Sequence, residues 1–321
     1  MKIPPRSRPA DDPRNGPVIL RRDLLAQGLT SRSVSRLIRD DGLVKVRTGA
    51  YVPPAAWRGC DQEGRFGLLG RAVLRQARTP VVLSHTSALT EYGVPLWGFD
   101  LSVAHVTRTD GLPGRNGRDV QQHSGRMGPG DLVVLNGVAV MNPARAVLES
   151  ITLGSVEASL CAANFVLNSG LTTEKLLNTQ YVGMENWPDT RTAELVLRLA
   201  DRRFESLGET RTFFCCYQQG LPCPVPQYEI KDAAGRVVAR VDLAWPDLGV
   251  FLEFDGRVKY EKLLKEGERA SDVVLRERDR ERMICRLTGW RCVRITWADL
   301  ARPEELAARI RAELFPRALA S

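Results

Sequence analysis

Three acidic residues in a short apolar stretch have a spacing that could bring their carboxylates together. Asp242 lies in one apolar run, and Glu253 and Asp255 lie in the next, with a turn predicted at Pro246 to Gly249 between them. Side chains alternate between the two faces of a strand, so Glu253 and Asp255 point the same way. If the two runs form a hairpin about that turn, Asp242 lies directly across from Glu253, within reach of a cross-strand pair.

Carboxylates crowded in this way repel one another unless a cation neutralises them. Mg²⁺, or Mn²⁺ in its place, prefers oxygen ligands and is the natural partner. The alternative is that the three acids lie on a solvated face of the sheet. Strands are depleted in Asp, and here Asp recurs on one face, so the pattern favours a cation site formed by Asp242, Glu253 and Asp255.

The surrounding sequence resembles the PD-(D/E)XK nuclease superfamily, and more closely its branch of very-short-patch-repair (Vsr-like) endonucleases. The resemblance rests on Asp242, on Glu253-Phe-Asp255-Gly256 and on the upstream motif Ser206-Leu-Gly-Glu209-Thr-Arg211. It covers roughly residues 190 to 317 and implies an α/β/α domain of the restriction-endonuclease type. By this resemblance, Glu209 lies on a first helix that brings a further acid to the metal site.

One position departs from the superfamily pattern. The usual lysine, two residues after the glutamate, is Asp255 here. That lysine normally stabilises charge at the phosphate or orients the attacking water. Lys259, or Arg280 on a later charged helix, could take its place. The activity that the resemblance implies is metal-assisted phosphodiester hydrolysis, in which the cation lowers the pKa of a bound water.

A second pattern lies near the start of the sequence. Val18 to Leu25 has an apolar helical spacing that stops at Gly28, and Thr30 or Ser31 would cap a second helix that runs to about Arg39. Two short alternating strands follow. A helix, a turn, a basic helix and a hairpin together describe a winged helix-turn-helix, whose second helix enters the major groove of DNA.

The residues expected to contact DNA are polar, basic or aromatic and lie off the apolar side of this region. They are Arg32, Ser33, Arg36 and Arg39 on the second helix, and Lys45, Arg47 and Tyr51 on the wing. The wing residues would contact the DNA backbone or the minor groove. The alternative is a small helical adaptor whose arginines are only solvated.

The same region resembles the N-terminal domain of AbiEi-type antitoxins. The resemblance extends over residues 17 to 54 and rests on two stretches, Gly28-Leu-Thr-Ser-Arg-Ser-Val-Ser-Arg-Leu37 and Gly42-Leu-Val-Lys-Val-Arg-Thr-Gly-Ala-Tyr-Val-Pro53. These antitoxins belong to type IV abortive-infection systems and are DNA-binding autorepressors. The resemblance therefore implies DNA as one partner, and a cognate toxin or another phage-defence or repair protein as a second.

All three histidines, His85, His105 and His123, lie in the middle of the chain. With Pro143-Ala-Arg145, they resemble the C-terminal part of the same antitoxin-like proteins. No His or Cys spacing typical of a zinc site is present, so His85 and His105 are predicted to be structural.

The sequence predicts an α/β multidomain protein. A linker is expected at Val182 to Thr190, and a helix at Ala193 to Arg203 follows it. The predicted parts are a flexible basic lead-in (1–16), the winged helix-turn-helix (17–58), an α+β middle domain (59–185) and the nuclease-like domain (190–321).

Composition agrees with a polyanionic partner. The formal charge is +8 and the isoelectric point is near 9.3, and basic side chains gain free energy from counterion release at phosphates. The seven cysteines are scattered and odd in number, which indicates a reducing, cytoplasmic setting. No apolar run approaches the roughly 20 residues that cross a membrane, and the first residues are too polar for a signal peptide.

Two function classes follow from the sequence. In the first, the winged helix docks the protein on DNA and the C-terminal domain cuts it with Mg²⁺ or Mn²⁺. In the second, the protein is an AbiEi-like regulator or antitoxin whose nuclease-like domain only binds. An intact set of acids, Asp242, Glu253 and Asp255, favours the first class.

Overall fold

The computed structural model describes residues 7–184, 187, 191–256 and 270–316. The chain divides into two compact units, residues 1–200 and 201–321. Both units combine helices with β-sheets, so the mixed α/β class predicted from the sequence is confirmed. Within the described ranges, no helix combines the length and the apolar character needed to span a membrane.

The first unit contains a three-stranded sheet and a five-stranded sheet. Its helices are α1 (Arg21–Ala26), α2 (Ser31–Arg39), α3 (Pro54–Arg58), α4 (Gln62–Gln76), α5 (His85–Glu91), α6 (Pro143–Ile151), α7 (Val156–Asn168), α8 (Glu174–Val182) and α9 (Arg191–Leu199). Its strands are β1 (Ile19–Leu20), β2 (Val44–Arg47), β3 (Ala50–Val52), β4 (Val81–Leu83), β5 (Ala104–Arg108), β6 (Val120–Ser124), β7 (Leu132–Leu135) and β8 (Val138–Met141).

The small sheet has the strand order β1-β3-β2 and is covered on two sides. Val34 of α2 and Tyr51 of β3 belong to one buried cluster, while Leu20, Val52 and Leu68 of α4 belong to another. The small sheet therefore packs against α1 and α2 through one cluster and against α4 through the other. The predicted first helix begins later than expected, because its first apolar residues pair with β3 as strand β1.

The predicted flexible lead-in is anchored where the structure describes it, from residue 7 onward. An Arg8 guanidinium nitrogen lies 3.0 Å from the buried carboxylate of Glu91, and the Arg8 backbone N–H donates to Asn136 Oδ1 at 2.8 Å. A short 3-10 helix at Pro13–Asn15 follows. A buried carboxylate needs a cationic partner, so this contact holds the lead-in against the unit.

The five-stranded sheet has the order β6-β5-β4-β8-β7. The predicted hairpin about Asn136 and Gly137 is confirmed, since both residues have positive φ, at 49° and 77°, as a two-residue hairpin turn requires. The predicted start of the next helix is also confirmed. The Asn142 side chain accepts the Arg145 N–H at 2.9 Å, and Pro143 occupies the first turn of α6.

The second unit contains one four-stranded sheet with the order β12-β11-β10-β9. Its helices are α10 (Leu207–Gln218), α11 (Ala270–Thr288), α12 (Trp297–Leu300) and α13 (Pro303–Leu314), and its strands are β9 (Val225–Lys231), β10 (Val237–Trp245), β11 (Val250–Phe254) and β12 (Arg291–Ile295). Helix α9, which the sequence placed in the C-terminal domain, packs against α6, α7 and α8 and lies in the first unit, which ends at residue 200.

The predicted hairpin of β10 and β11 forms with the expected turn. A 3-10 turn at Pro246–Leu248 joins the strands, and Gly249 has a φ of 59°. The register pairs Trp245 with Val250 and Leu243 with Leu252. The next position along the two strands carries Asp242 and Glu253, as the sequence predicts.

Helix α10 approaches β11 closely at Gly208. A Cβ built on Gly208 would lie 2.1 to 2.4 Å from three ring atoms of Phe254, which itself is 4% exposed. Glycine is therefore required here by the packing of the ring.

We expect Gly208→Ala to destabilise the second unit by roughly 1 to 3 kcal/mol, because the added methyl group overpacks the Phe254 ring. Urea unfolding would measure the loss. In a Phe254→Leu background the same glycine substitution should cost less, since the ring is gone. An equal cost in both backgrounds would show that this contact is not the cause.

Candidate functional site

Helix α2 has two chemically opposite sides. Thr30 caps it, because its Oγ1 accepts the Ser33 N–H at 3.1 Å. Val34 is 1% exposed, and Leu37 and Ile38 pack against the same cluster. These three apolar residues fix the helix on the small sheet and leave its other side to solvent.

The solvent side of α2 carries a stripe of three arginines, Arg32, Arg36 and Arg39. Their spacing of four and three residues places them within about 60° of one another around the helix axis. All three are exposed, and no hydrogen bond or ion pair joins their side chains to any other residue in the described ranges. The stripe therefore presents guanidinium groups that are not committed inside the chain.

Three of the other residues predicted to contact DNA have different roles. Tyr51 is 5% exposed and lies in the core with Val34, so it is not a surface contact. Arg47 is held in an ion pair with Asp119, with distances of 3.1 and 2.6 Å. Ser33 serves the helix cap, with its hydroxyl 3.0 Å from Thr30 Oγ1. Lys45 alone of the wing residues is exposed as predicted.

In the second unit, Asp242 lies where the ladder between β10 and β11 ends. The Phe254 backbone N–H donates to Asp242 Oδ2 at 2.8 Å, and the residue is only 9% exposed. The Asp242 carboxylate therefore accepts a hydrogen bond that a backbone carbonyl of β10 would accept if the ladder continued. The donor, Phe254, directly follows Glu253 in β11.

Glu209 lies on α10, close to Asp242. It is 2% exposed; its carboxylate accepts from Ser206 Oγ at 2.6 Å and from Gln227 Nε2 at 2.8 Å. Burial, and next the negative charge of Asp242, raise the pKa of Glu209. Ser206 and Glu209 are hydrogen-bonded to each other twice at the start of α10, because the Glu209 N–H also donates to Ser206 Oγ. Glu209 therefore has a structural role as well as a place beside Asp242.

Glu253 and Asp255 face arginines. Arg280 Nη1 on α11 lies 3.1 Å from Glu253 Oε1, and the other terminal nitrogen of Arg280 donates to the Arg240 carbonyl. Arg294 lies 3.8 Å from Asp255 Oδ2 and makes its shortest contact, 2.7 Å, with a carboxylate of α11. Lys259, the other predicted cation, lies outside the described residues.

The carboxylates of the second unit match a divalent cation in chemistry but not in placement. Carboxylate oxygens are the ligands that Mg²⁺ and Mn²⁺ prefer, so the donor chemistry fits. The placement does not fit: in residues 7–184, 187, 191–256 and 270–316, no group of three or more His, Cys, Asp or Glu side chains is positioned to hold a metal ion. Arg280 and Arg294 contact Glu253 and Asp255, while Asp242 binds a backbone amide. No cation-dependent step follows from this arrangement.

The structure also brings together the three histidines of the chain. The rings of His85 and His123 stack with centroids 3.8 Å apart, and His105 Nδ1 and His123 Nε2 share a hydrogen bond of 3.0 Å. His85 has a φ of 51° at the start of α5, and its Nδ1 lies 3.6 Å from the buried carboxylate of Glu149. The cluster could not be predicted from the spacing of the histidines in the sequence, because they lie on three separate elements, α5, β5 and β6.

The cluster holds its imidazoles in the neutral form. Burial, and next the charge of His123, lower the pKa of His105 to about 4, and burial lowers the pKa of His123 to about 4. The pKa of His85 is also well below its usual value, chiefly because of burial. In the shared hydrogen bond one ring must donate and the other must accept, which requires an unprotonated acceptor nitrogen.

No model of a known protein family matches the chain, and no curated protein matches it significantly. The roles of these residues therefore rest on the geometry described above.

We expect the first unit to lose stability as the pH falls from about 6.5 toward 4. Unfolded histidine takes up a proton near pH 6.5, whereas folded His105 and His123 do so only near 4, so acid favours the unfolded chain. His123→Phe keeps a flat ring and removes one titrating group. Its melting temperature should fall less between pH 7 and pH 4 than that of the wild type, by the equivalent of roughly 1 to 3 kcal/mol. Parallel pH profiles for the two proteins would contradict this account.

Proposed function

We propose that this protein binds duplex DNA through α2, which enters the major groove with Arg32, Arg36 and Arg39 against the bases and phosphates. The observation that supports this is the arginine stripe, exposed and uncommitted, opposite the buried side of the same helix. Arginine suits this role because its planar donors match phosphate oxygens and the edge of guanine.

The elements around α2 also support docking in a groove. Two helices joined by a short turn are followed by a hairpin whose second strand pairs with β1, which is the order of a winged helix-turn-helix. Lys45 on β2 is exposed and supplies a cation for the DNA backbone. The resemblance to AbiEi-type antitoxins points to the same function, with a cognate toxin or a defence or repair protein as a further proposed partner.

The single variants Arg32→Ala and Arg36→Ala should each weaken binding to a duplex selected from a random pool by roughly 1 to 3 kcal/mol, because each removes a groove contact. Fluorescence anisotropy would measure the dissociation constants. Arg126→Ala is the matched control: this residue is also an exposed arginine of the first unit, but it lies in the loop between β6 and β7. Wild-type affinity in both helix variants would overturn the proposal.

A metal-dependent endonuclease is the second function that the C-terminal unit supports, by its resemblance to Vsr-like PD-(D/E)XK enzymes. The observation in its favour is that two buried acids, Glu209 and Asp242, lie close enough for the charge of Asp242 to raise the pKa of Glu209. Burying two acids close together costs free energy, because their charges repel and lose solvation. Such pairs are found most often at functional sites. Cleavage would require Arg280 and Arg294 to release Glu253 and Asp255, so that carboxylate oxygens become available.

The contacts of Arg280 and Arg294 favour the alternative, a regulator or antitoxin whose nuclease-like unit binds without cutting. In that case the guanidinium groups neutralise the acids permanently. The two proposals share DNA binding by α2 and differ only in hydrolysis.

If the endonuclease proposal is correct, the wild type will nick supercoiled plasmid with Mg²⁺ or Mn²⁺, and EDTA will stop the reaction. Asp242→Asn and Glu253→Gln should then lower the rate at least about a hundredfold, because each removes a carboxylate charge at the reacting centre. Both variants should bind DNA as the wild type does in a gel shift. Binding without metal-dependent nicking by the wild type would leave the regulator as the function.

A further inference from the structure

Beside the small sheet lies a loop with two uncommitted arginines. This basic loop, residues 109–119, joins β5 to β6. Its two acids are each neutralised within the unit: Asp110 by Arg108 and Asp119 by Arg47. Arg115 and Arg118 are exposed, and neither side chain makes a hydrogen bond or ion pair with another described residue. The loop and its two partners therefore carry a net positive charge that is concentrated on Arg115 and Arg118.

The basic loop has a defined shape. Gly114 lies against β6 so closely that a Cβ on it would fall 1.8 Å from the Gln122 carbonyl oxygen. Asn116 forms a β-bridge with Gln121, and the Gly117 N–H donates to the Val120 carbonyl at 2.7 Å. The backbone that carries the two arginines is therefore pinned along the edge strand of the five-stranded sheet.

An ion pair fastens the basic loop to the hairpin that follows α2. Arg47 on β2 donates to both oxygens of Asp119, at 3.1 and 2.6 Å, and its side chain is 16% exposed. Two parallel hydrogen bonds fix the orientation as well as the distance. Gln76 of α4 donates to the Thr48 carbonyl at the hairpin tip and braces the hairpin from another direction. Arg118, next to Asp119 in sequence, is thereby held beside the strand that carries Lys45.

We propose that Arg115 and Arg118 bind phosphates of the same duplex that α2 enters, on the side of the hairpin, and that Arg47 positions them through Asp119. The proposal rests on the proposed function and extends it to a second contact surface. Lys45 lies on the strand that the ion pair of Arg47 with Asp119 joins to the basic loop, and Arg115 and Arg118 precede Asp119 in that loop. Three exposed cations on two joined segments match the repeating charge of a polymer better than a single small anion. Arg47 is a positioning residue here, whereas the sequence pattern predicted a direct contact.

The test measures the salt dependence of binding to a labelled mixed-sequence duplex three helical turns long. The double variant Arg115→Ala/Arg118→Ala should bind more weakly at every salt concentration. Its slope of log K against log salt should be smaller by about 1.8, since each phosphate that the protein neutralises adds about 0.9 to the slope.

Two further variants separate positioning from direct binding. Asp119→Asn keeps the side-chain size but releases Arg47, so it should reproduce part of the slope change although it removes a negative charge. A general electrostatic effect would instead strengthen binding. Arg126→Ala, which removes an exposed arginine from the loop after β6, should leave the slope unchanged.

The outcomes distinguish this inference from the proposed function. If Arg36→Ala weakens binding and the loop variant keeps the wild-type slope, the loop inference is overturned and docking by α2 stands. If neither weakens binding, both fail. If the loop variant has a smaller slope than the wild type on this duplex, and Arg126→Ala does not, the inference is supported.

Discussion

Burial of the small sheet from two sides is the constraint on which the N-terminal unit depends. Ala50 and Val52 have no exposed surface and cluster with apolar side chains of α4, while Tyr51 between them clusters with Val34 of α2. A fully buried aliphatic side chain contributes about 1.5 to 3 kcal/mol, so α2 is stable only with Val34 facing inward. The arginine stripe then has to face solvent. Its exposure follows from packing on the other side of the helix.

Guanidinium groups determine which charges of this protein are available to a partner. The same residue type serves inside the chain and on its surface, and only the position of an acid decides between the two. Arg47 contacts Asp119 and is used internally, while the arginines of α2 and of the basic loop pair with no acid in the described part of the chain. In the second unit the arginines neutralise acids, since Arg280 forms an ion pair with Glu253 and Arg294 with Asp255. The first unit consequently has exposed positive charge that can bind an anion. In the second unit, the acids Glu253 and Asp255 are already paired with arginines.

The histidine cluster shows a different use of polar groups in the core. Its rings stack and share a hydrogen bond, and they remain neutral because burial disfavours the charged form. Close to it, Arg145 forms ion pairs with Asp131 and Glu149 and lies over the ring of Trp187. These contacts join β5, β6, α5 and α6, so polar groups as well as apolar packing hold the middle of the first unit together. Structural histidines were predicted, but their contact with one another was not.

Helix caps and hairpin turns could be predicted from the sequence, because each depends on residues that are close together along the chain. Thr30 caps α2, Asn136-Gly137 turns a hairpin, and Pro246 to Gly249 places Asp242 next to Glu253, each within a few positions along the chain. Partners far apart in sequence were not readable. Arg47 and Asp119 are 72 residues apart, and Tyr51 enters a core formed by other segments. The sequence by itself determined which residues are acidic, basic or apolar on each helix and strand. Only the tertiary structure decided which of those charges meet, because an ion pair depends on distance in space and forms only after the intervening chain has packed.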